Sequence, residues 1–170
     1  MAYKDILSQS YAQMLALANH PNYTQNFTWV AVKNDISGST FNNKTAVGAW
    51  FYIKTISDVG GDLIDGRANN YSGKYNNTAT VQIKALVKIN RLNIQSKDAD
   101  YEDSVTEGEI QEDILTAFSC VYNELCSAKV RNIDYQGTQE VTDEVDHGER
   151  AIRLDFLFQM TYEQDRYIKR

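Results

Sequence analysis

The chain has 170 residues, 42% of them hydrophobic and 24% charged. At roughly 150 residues per domain this makes a single domain over residues 1–170, large enough to remove about two-thirds of its unfolded surface from water, and the composition excludes a disordered tail. Seventeen Lys and Arg against 23 Asp and Glu leave a net charge of −6, which excludes a protein whose main task is to grip phosphate backbones.

The first predicted element is a helix over residues 2–19. Tyr3, Ile6, Leu7, Tyr11, Met14, Leu15, Leu17 and Ala18 recur at spacings of three and four. The single proline, Pro21, follows His20 and ends this helix. Residues 27–32 carry two aromatics and two valines and predict a strand. Residues 34–48 are rich in Asn, Ser, Thr and Gly and predict a long loop. A second strand is expected at 49–56, with Trp50, Phe51, Tyr52 and Ile53. Asp58-Val59-Gly60-Gly61-Asp62 reads as turn chemistry opening a second long loop, 57–77.

The clearest strand signal lies at 80–91. Val81, Ile83, Ala85, Val87 and Ile89 alternate with Gln82, Lys84, Leu86, Lys88 and Asn90, the period of a sheet with one face buried and one wet. Residues 95–109 are polar and acidic, and a helix is predicted near 108–127 from Ile110, Ile114, Ala117, Phe118, Val121 and Leu125. Thr106 and Glu109 have capping-box spacing at its start. Strands are expected at 130–135 and 150–162, joined by a polar loop at 136–148 and followed by a charged tail from Glu163. The order α-β-β-β-α-β-β predicts an α+β domain: an antiparallel sheet with two helices on one face.

Few residues suggest chemistry. The Gly-x-Ser-x-Gly and Gly-x-x-x-x-Gly-Lys-Ser/Thr patterns do not occur, and neither an enzyme nor a bound cofactor is expected. Asp98, Asp100, Glu102, Thr106 and Glu109 fall at positions 1, 3, 5, 9 and 12 of a calcium-loop pattern. Asp103 stands where that pattern needs glycine, and a strand rather than a helix precedes it, so the segment is better read as an acidic loop capping a helix. His20 and His147 sit in separate loops without ligand-spaced neighbours. Cys120 and Cys126, six residues apart on one helix, are expected to be small buried hydrophobes rather than a disulfide. Lys84, Lys88 and Arg91 form a basic row read as a solvated sheet face.

The N-terminal residues lack the apolar core of a signal peptide, being interrupted by Lys4, Asp5, Ser8, Gln9 and Ser10. No stretch approaches 18 uninterrupted apolar residues, so no transmembrane helix is expected. The five Asn-x-Ser/Thr sequons, at Asn22, Asn26, Asn43, Asn70 and Asn76, are read as products of Asn-rich loops among 14 asparagines.

The segments 113–126, Val130-Arg-Asn-Ile-Asp134 and Arg150-Ala-Ile-Arg-Leu-Asp-Phe-Leu-Phe-Gln-Met160 form a helix, a short edge strand and an Arg-led strand of alternating hydrophobics. With the N-terminal helix and strand meander, this order resembles the tail terminator and head-to-tail completion (neck) proteins of tailed bacteriophages. The resemblance is one of topology across much of the chain. It implies a non-enzymatic virion subunit, made in the host cytoplasm, that forms a ring with copies of itself. Its neighbours would be other neck, portal or tail-tube proteins, with DNA as passing cargo and no membrane contact. It further implies that Phe41, Tyr71 and Tyr75 contact neighbours. Asp98, Asp100, Glu102, Asp103, Glu140, Asp143, Glu144 and Asp146 would then line the lumen, where negative charge keeps DNA from sticking. A tail-tube or other virion ring subunit, and a cytoplasmic α+β protein-binding domain, are the alternatives.

Overall fold

The computed structural model describes residues 3–19, 27–33, 48–66, 72–89, 99–118, 130–141 and 150–167. The order is α1 (Tyr3–Leu15, continued by a 3-10 turn, Ala16–Asn19), β1 (Trp29–Ala31), β2 (Gly48–Gly66), β3 (Ser72–Ile89), α2 (Ala99–Ala117), β4 (Val130–Glu140) and β5 (Arg150–Tyr167). The five strands form one sheet in the order β1-β2-β3-β5-β4. The domain is α+β, as its sequence predicts, and the sheet is antiparallel except for β1, which runs parallel to β2 in the register Trp29↔Ala49 to Ala31↔Phe51.

β3 is the spine of the sheet. It pairs along its length with β2 on one side and β5 on the other. Its alternation puts Ala79, Val81, Ile83, Ala85 and Val87 in the main core, with Phe51 and Ile53 from β2 and Leu154, Phe156, Phe158 and Met160 from β5. Two helices cover this face. α1 contributes Ile6 and Met14, with Leu17 from the turn that follows; α2 contributes Ile110, Ile114 and Ala117, followed by Phe118. The spacing is the three-and-four repeat of a helix with one apolar stripe. Leu15, part of the stripe expected from sequence, is instead exposed. Phe118 lies against Phe158 with ring centroids 5.1 Å apart.

Polar groups tie the layers together. The Trp29 indole N–H donates to a carboxylate oxygen of Asp113 at 3.0 Å, and both residues are buried. This bond fixes the short strand β1 to α2. Ser10 donates to the carbonyl of Ile6 at 2.7 Å, satisfying a hydroxyl that α1 buries against the sheet.

Several boundaries differ from those the sequence predicts. The expected loop 57–77 is mostly strand: β2 runs on to Gly66 and β3 starts at Ser72. Gly60 and Gly61 make no turn. They adjoin a register shift between Gly60 and Leu63, where a bulge takes up extra residues without ending the pairing. A Cβ on Gly61 would lie 1.8 Å from the backbone oxygen of Asn76, so glycine is needed for close strand approach. β4 runs to Glu140 rather than 135, passing Gly137 at φ 128° through another register shift. β5 runs to Tyr167, so much of the expected charged tail is strand. α2 begins at Ala99, not near 108, and Thr106 is a buried residue within it rather than its cap.

Gly61→Ala is expected to loosen the β2–β3 pairing around Asn76, lowering the melting temperature and speeding amide exchange there. Asp113→Ala leaves the Trp29 indole N–H without its carboxylate and should cost about 1–3 kcal/mol in denaturant unfolding.

Candidate functional site

The second face of the sheet carries a group of charged and aromatic side chains. Residues two apart on a strand share a face, so Lys84, Leu86 and Lys88 lie opposite the core residues of β3. The register sets Tyr52, Lys84, Asp155 and Gln139 in one row, and Trp50, Leu86 and Arg153 in the next. Leu86 is fully buried, packed with Trp50 and Tyr52. Lys84, Lys88 and Arg153 are each only 8% exposed. The Arg153 guanidinium pairs with the Asp155 carboxylate at 3.4 Å. Long cationic side chains bury their stems along apolar neighbours, which makes this face a packed layer. It is not the solvated row that the sequence suggests. Arg91 lies outside the described residues.

A second polar group lies further along the strands, on the core side. The Tyr162 hydroxyl donates to both carboxylate oxygens of Asp58 at 3.0 and 2.9 Å. The Asn77 amide donates to Gln164 and to the Tyr162 oxygen, and the Asn77 carbonyl oxygen accepts from the Gly61 N–H at 3.4 Å. Asn77 and Tyr162 are buried. This group joins β2, β3 and β5 where the sheet's apolar content runs out.

The third feature is the Tyr11 phenol. Its oxygen accepts from the Ile53 N–H at 3.0 Å and lies 3.2 Å from the carbonyl oxygens of Ile53 and Val32, to which it donates. One side chain from α1 thus occupies the place of the next residue on the β2 edge, just where β1 ends. Desolvation raises the phenol above the ordinary tyrosine value near 10; the Ile53 backbone bond opposes the shift and Tyr52 adds to it.

The calcium-loop reading of Asp98, Asp100, Glu102, Thr106 and Glu109 does not survive as a loop. From Ala99 onward the segment is helix, so successive residues turn about the axis at 3.6 per turn instead of wrapping one ion. Asp98 lies outside the described residues, and Thr106 is buried. Among the described residues no group of three or more His, Cys, Asp or Glu is placed to hold a metal.

Among the described residues, the acidic residues expected at a lumen fall on two elements. Asp100, Glu102 and Asp103 fall near the start of α2. Glu140 ends β4, exposed and opposite Leu154. Asp143, Glu144 and Asp146 lie outside the described residues, as do Phe41, Tyr71, His20, His147, Cys120 and Cys126. Tyr75 is half-buried on β3, paired with Leu63 and Gln164, rather than in a loop. The Tyr11 and Asp58–Tyr162 groups escape the sequence because each joins residues distant along the chain that only the strand register brings together.

No family model matches the chain, and no curated protein matches it. No helix among the described residues is long and apolar enough to cross a membrane.

Tyr11→Phe removes the Ile53 and Val32 contacts and should cost about 1–3 kcal/mol. Because the folded phenol holds its proton above the unfolded value, its contribution is constant below pH 10 and declines as pH rises past it. The difference in unfolding free energy between wild type and Tyr11→Phe should therefore be flat to about pH 10 and shrink above it, as read by urea titrations across that range.

Proposed function

We propose that this chain is a non-enzymatic virion subunit that forms a ring at the head–tail junction or tail end of a tailed bacteriophage, a tail terminator or neck protein. The observation that carries this reading is the element order: a helix, three strands, a helix and two strands, both helices on one face of a largely antiparallel sheet. That is the arrangement that the likeness to those proteins implies. The surface supports it further. From Ile56 to Gly61 every residue of β2 is exposed, including two large apolar side chains, Ile56 at 50% and Val59 at 63%. Tyr135 on β4 is 43% exposed. Apolar side chains on a strand margin suit a contact with another protein. The net charge of −6 suits a channel through which DNA passes without sticking.

The test is the assembly state. Light scattering coupled to size-exclusion chromatography, over about 10 μM to 1 mM chain and at low and high salt, should reveal a ring-sized species that negative-stain images show as an annulus. Copies of like charge repel, and salt screens that repulsion, so the assembled fraction should rise with ionic strength. A chain that remains monomeric under every condition contradicts the proposal.

A further inference from the structure

The sheet has two margins, and among the described residues both offer unpaired backbone. On one side β1 pairs with β2 only at Ala49–Phe51, with one further bond from the Val32 N–H to the Phe51 carbonyl at 2.9 Å. The Tyr11 phenol then takes the outward N–H and C=O of Ile53. Beyond that point β2 continues to Gly66 with no strand beside it among the described residues. On the other side β4 is the last strand among the described residues over its whole length, Val130–Glu140.

Bulges divide these margins into short regular stretches. On β2 the pairing with β3 is uninterrupted from Ser57 to Gly60, between register shifts at Thr55/Ser57 and Gly60/Leu63. On β4 it is uninterrupted from Asn132 to Tyr135, between shifts at Val130/Asn132 and Tyr135/Gly137. The two windows have the same length. They also sit at nearly the same height on the sheet: residues 57–60 align through β3 with β5 residues 159–162, and residues 132–135 align with β5 residues 161–158.

The direction of the free backbone groups follows from alternation. Ile53 bonds outward to Tyr11, and its partner Ile83 has the same parity as Ala79 and Asn77, so Asp58 and Gly60, paired with those two, also bond outward. Val141 donates to the Arg153 carbonyl at 3.0 Å. Arg153 therefore faces β4, and so do Gln159 and Thr161, which leaves Ile133 and Tyr135, opposite Met160 and Phe158, bonding outward. β2 and β4 run in opposite directions in the sheet, so two copies in the same orientation set β4 of one antiparallel to β2 of the next.

We propose that the β4 window Asn132–Tyr135 of one copy pairs with the β2 window Ser57–Gly60 of a second copy, joining their sheets edge to edge. This rests on the ring reading and specifies its contact. The contact is heterologous, a β2 margin meeting a β4 margin, and such contacts close into rings when the rotation permits. The matched heights let copies pair with little step along the strands, which favours a closed ring over a filament. The exposed apolar side chains of Ile56, Val59 and Tyr135 lie in or beside the two windows. The bulges at each end keep the open margin short, which restrains indiscriminate strand addition while leaving four residues to pair. Tyr11 sets the boundary by closing the margin at Ile53.

The photo-crosslinker p-benzoylphenylalanine, placed at Val59 of the full chain and irradiated in the assembled state, should join the β2 margin to residues 130–141 of another copy, read by mass spectrometry. Tyr135→Pro removes an outward N–H and no bond to β5, and proline is tolerated on edge strands. It should reduce assembly at least tenfold in the concentration series while circular dichroism stays native. Tyr135→Ala keeps the N–H and should assemble within about threefold of wild type. Crosslinks from an assembled ring to other segments, or undiminished assembly of a natively folded Tyr135→Pro, overturn the edge pairing and leave the ring reading standing. A wild-type chain that never assembles overturns both.

Discussion

The structure depends on β3 being paired on both sides: with β5 over all 18 of its residues, and with β2 from Gly73 to Lys88. A strand in that position has most of its backbone groups committed, and its side chains must go to two faces. One face takes small and branched apolar residues and is covered by α1 and α2. The other holds Lys84, Leu86 and Lys88 in a packed layer with Trp50, Tyr52 and Arg153. Burying cations is costly unless they are paired or lie along apolar stems. This layer meets the condition through the Arg153–Asp155 pair and the aromatic neighbours. β2 and β5 extend as far as they do because β3 offers them a partner throughout.

Parts of this arrangement are legible in the sequence because they have a local cause. The alternation from Val81 to Ile89 marks the core face of β3, and that from Ile152 to Tyr162 marks β5. The repeat of Ile6, Met14 and Leu17 marks α1. Other parts have no local signal. Gly60-Gly61 reads as a turn because glycine pairs usually are, yet here Gly61 is required by the Asn76 carbonyl of the neighbouring strand. Thr106 and Glu109 have the spacing of a cap and instead lie inside a helix whose acidic first turns resemble a loop. The parallel strand β1 is tied to α2 by the bond from Trp29 to Asp113, 84 residues away.

The same distinction governs the candidate contacts. Of the aromatic residues chosen for loop-like surroundings, Tyr75 is half-buried within β3 rather than in a loop, and Phe41 and Tyr71 lie outside the described residues. What the fold does present is backbone: two strand margins with regular windows of equal length, one limited by a tyrosine hydroxyl from α1. Backbone availability cannot be seen in composition or spacing, because it depends on which strands lack neighbours.

The central claim is that β2, β3 and β5 form one continuous antiparallel unit reaching past the glycine pair. Inter-strand nuclear Overhauser contacts in an isotope-labelled monomer test it most directly. Backbone cross-peaks are expected between Val59 and Thr78 and between Thr78 and Thr161. If residues 57–66 lacked such contacts and showed the chemical shifts of an unpaired loop, the account would be contradicted.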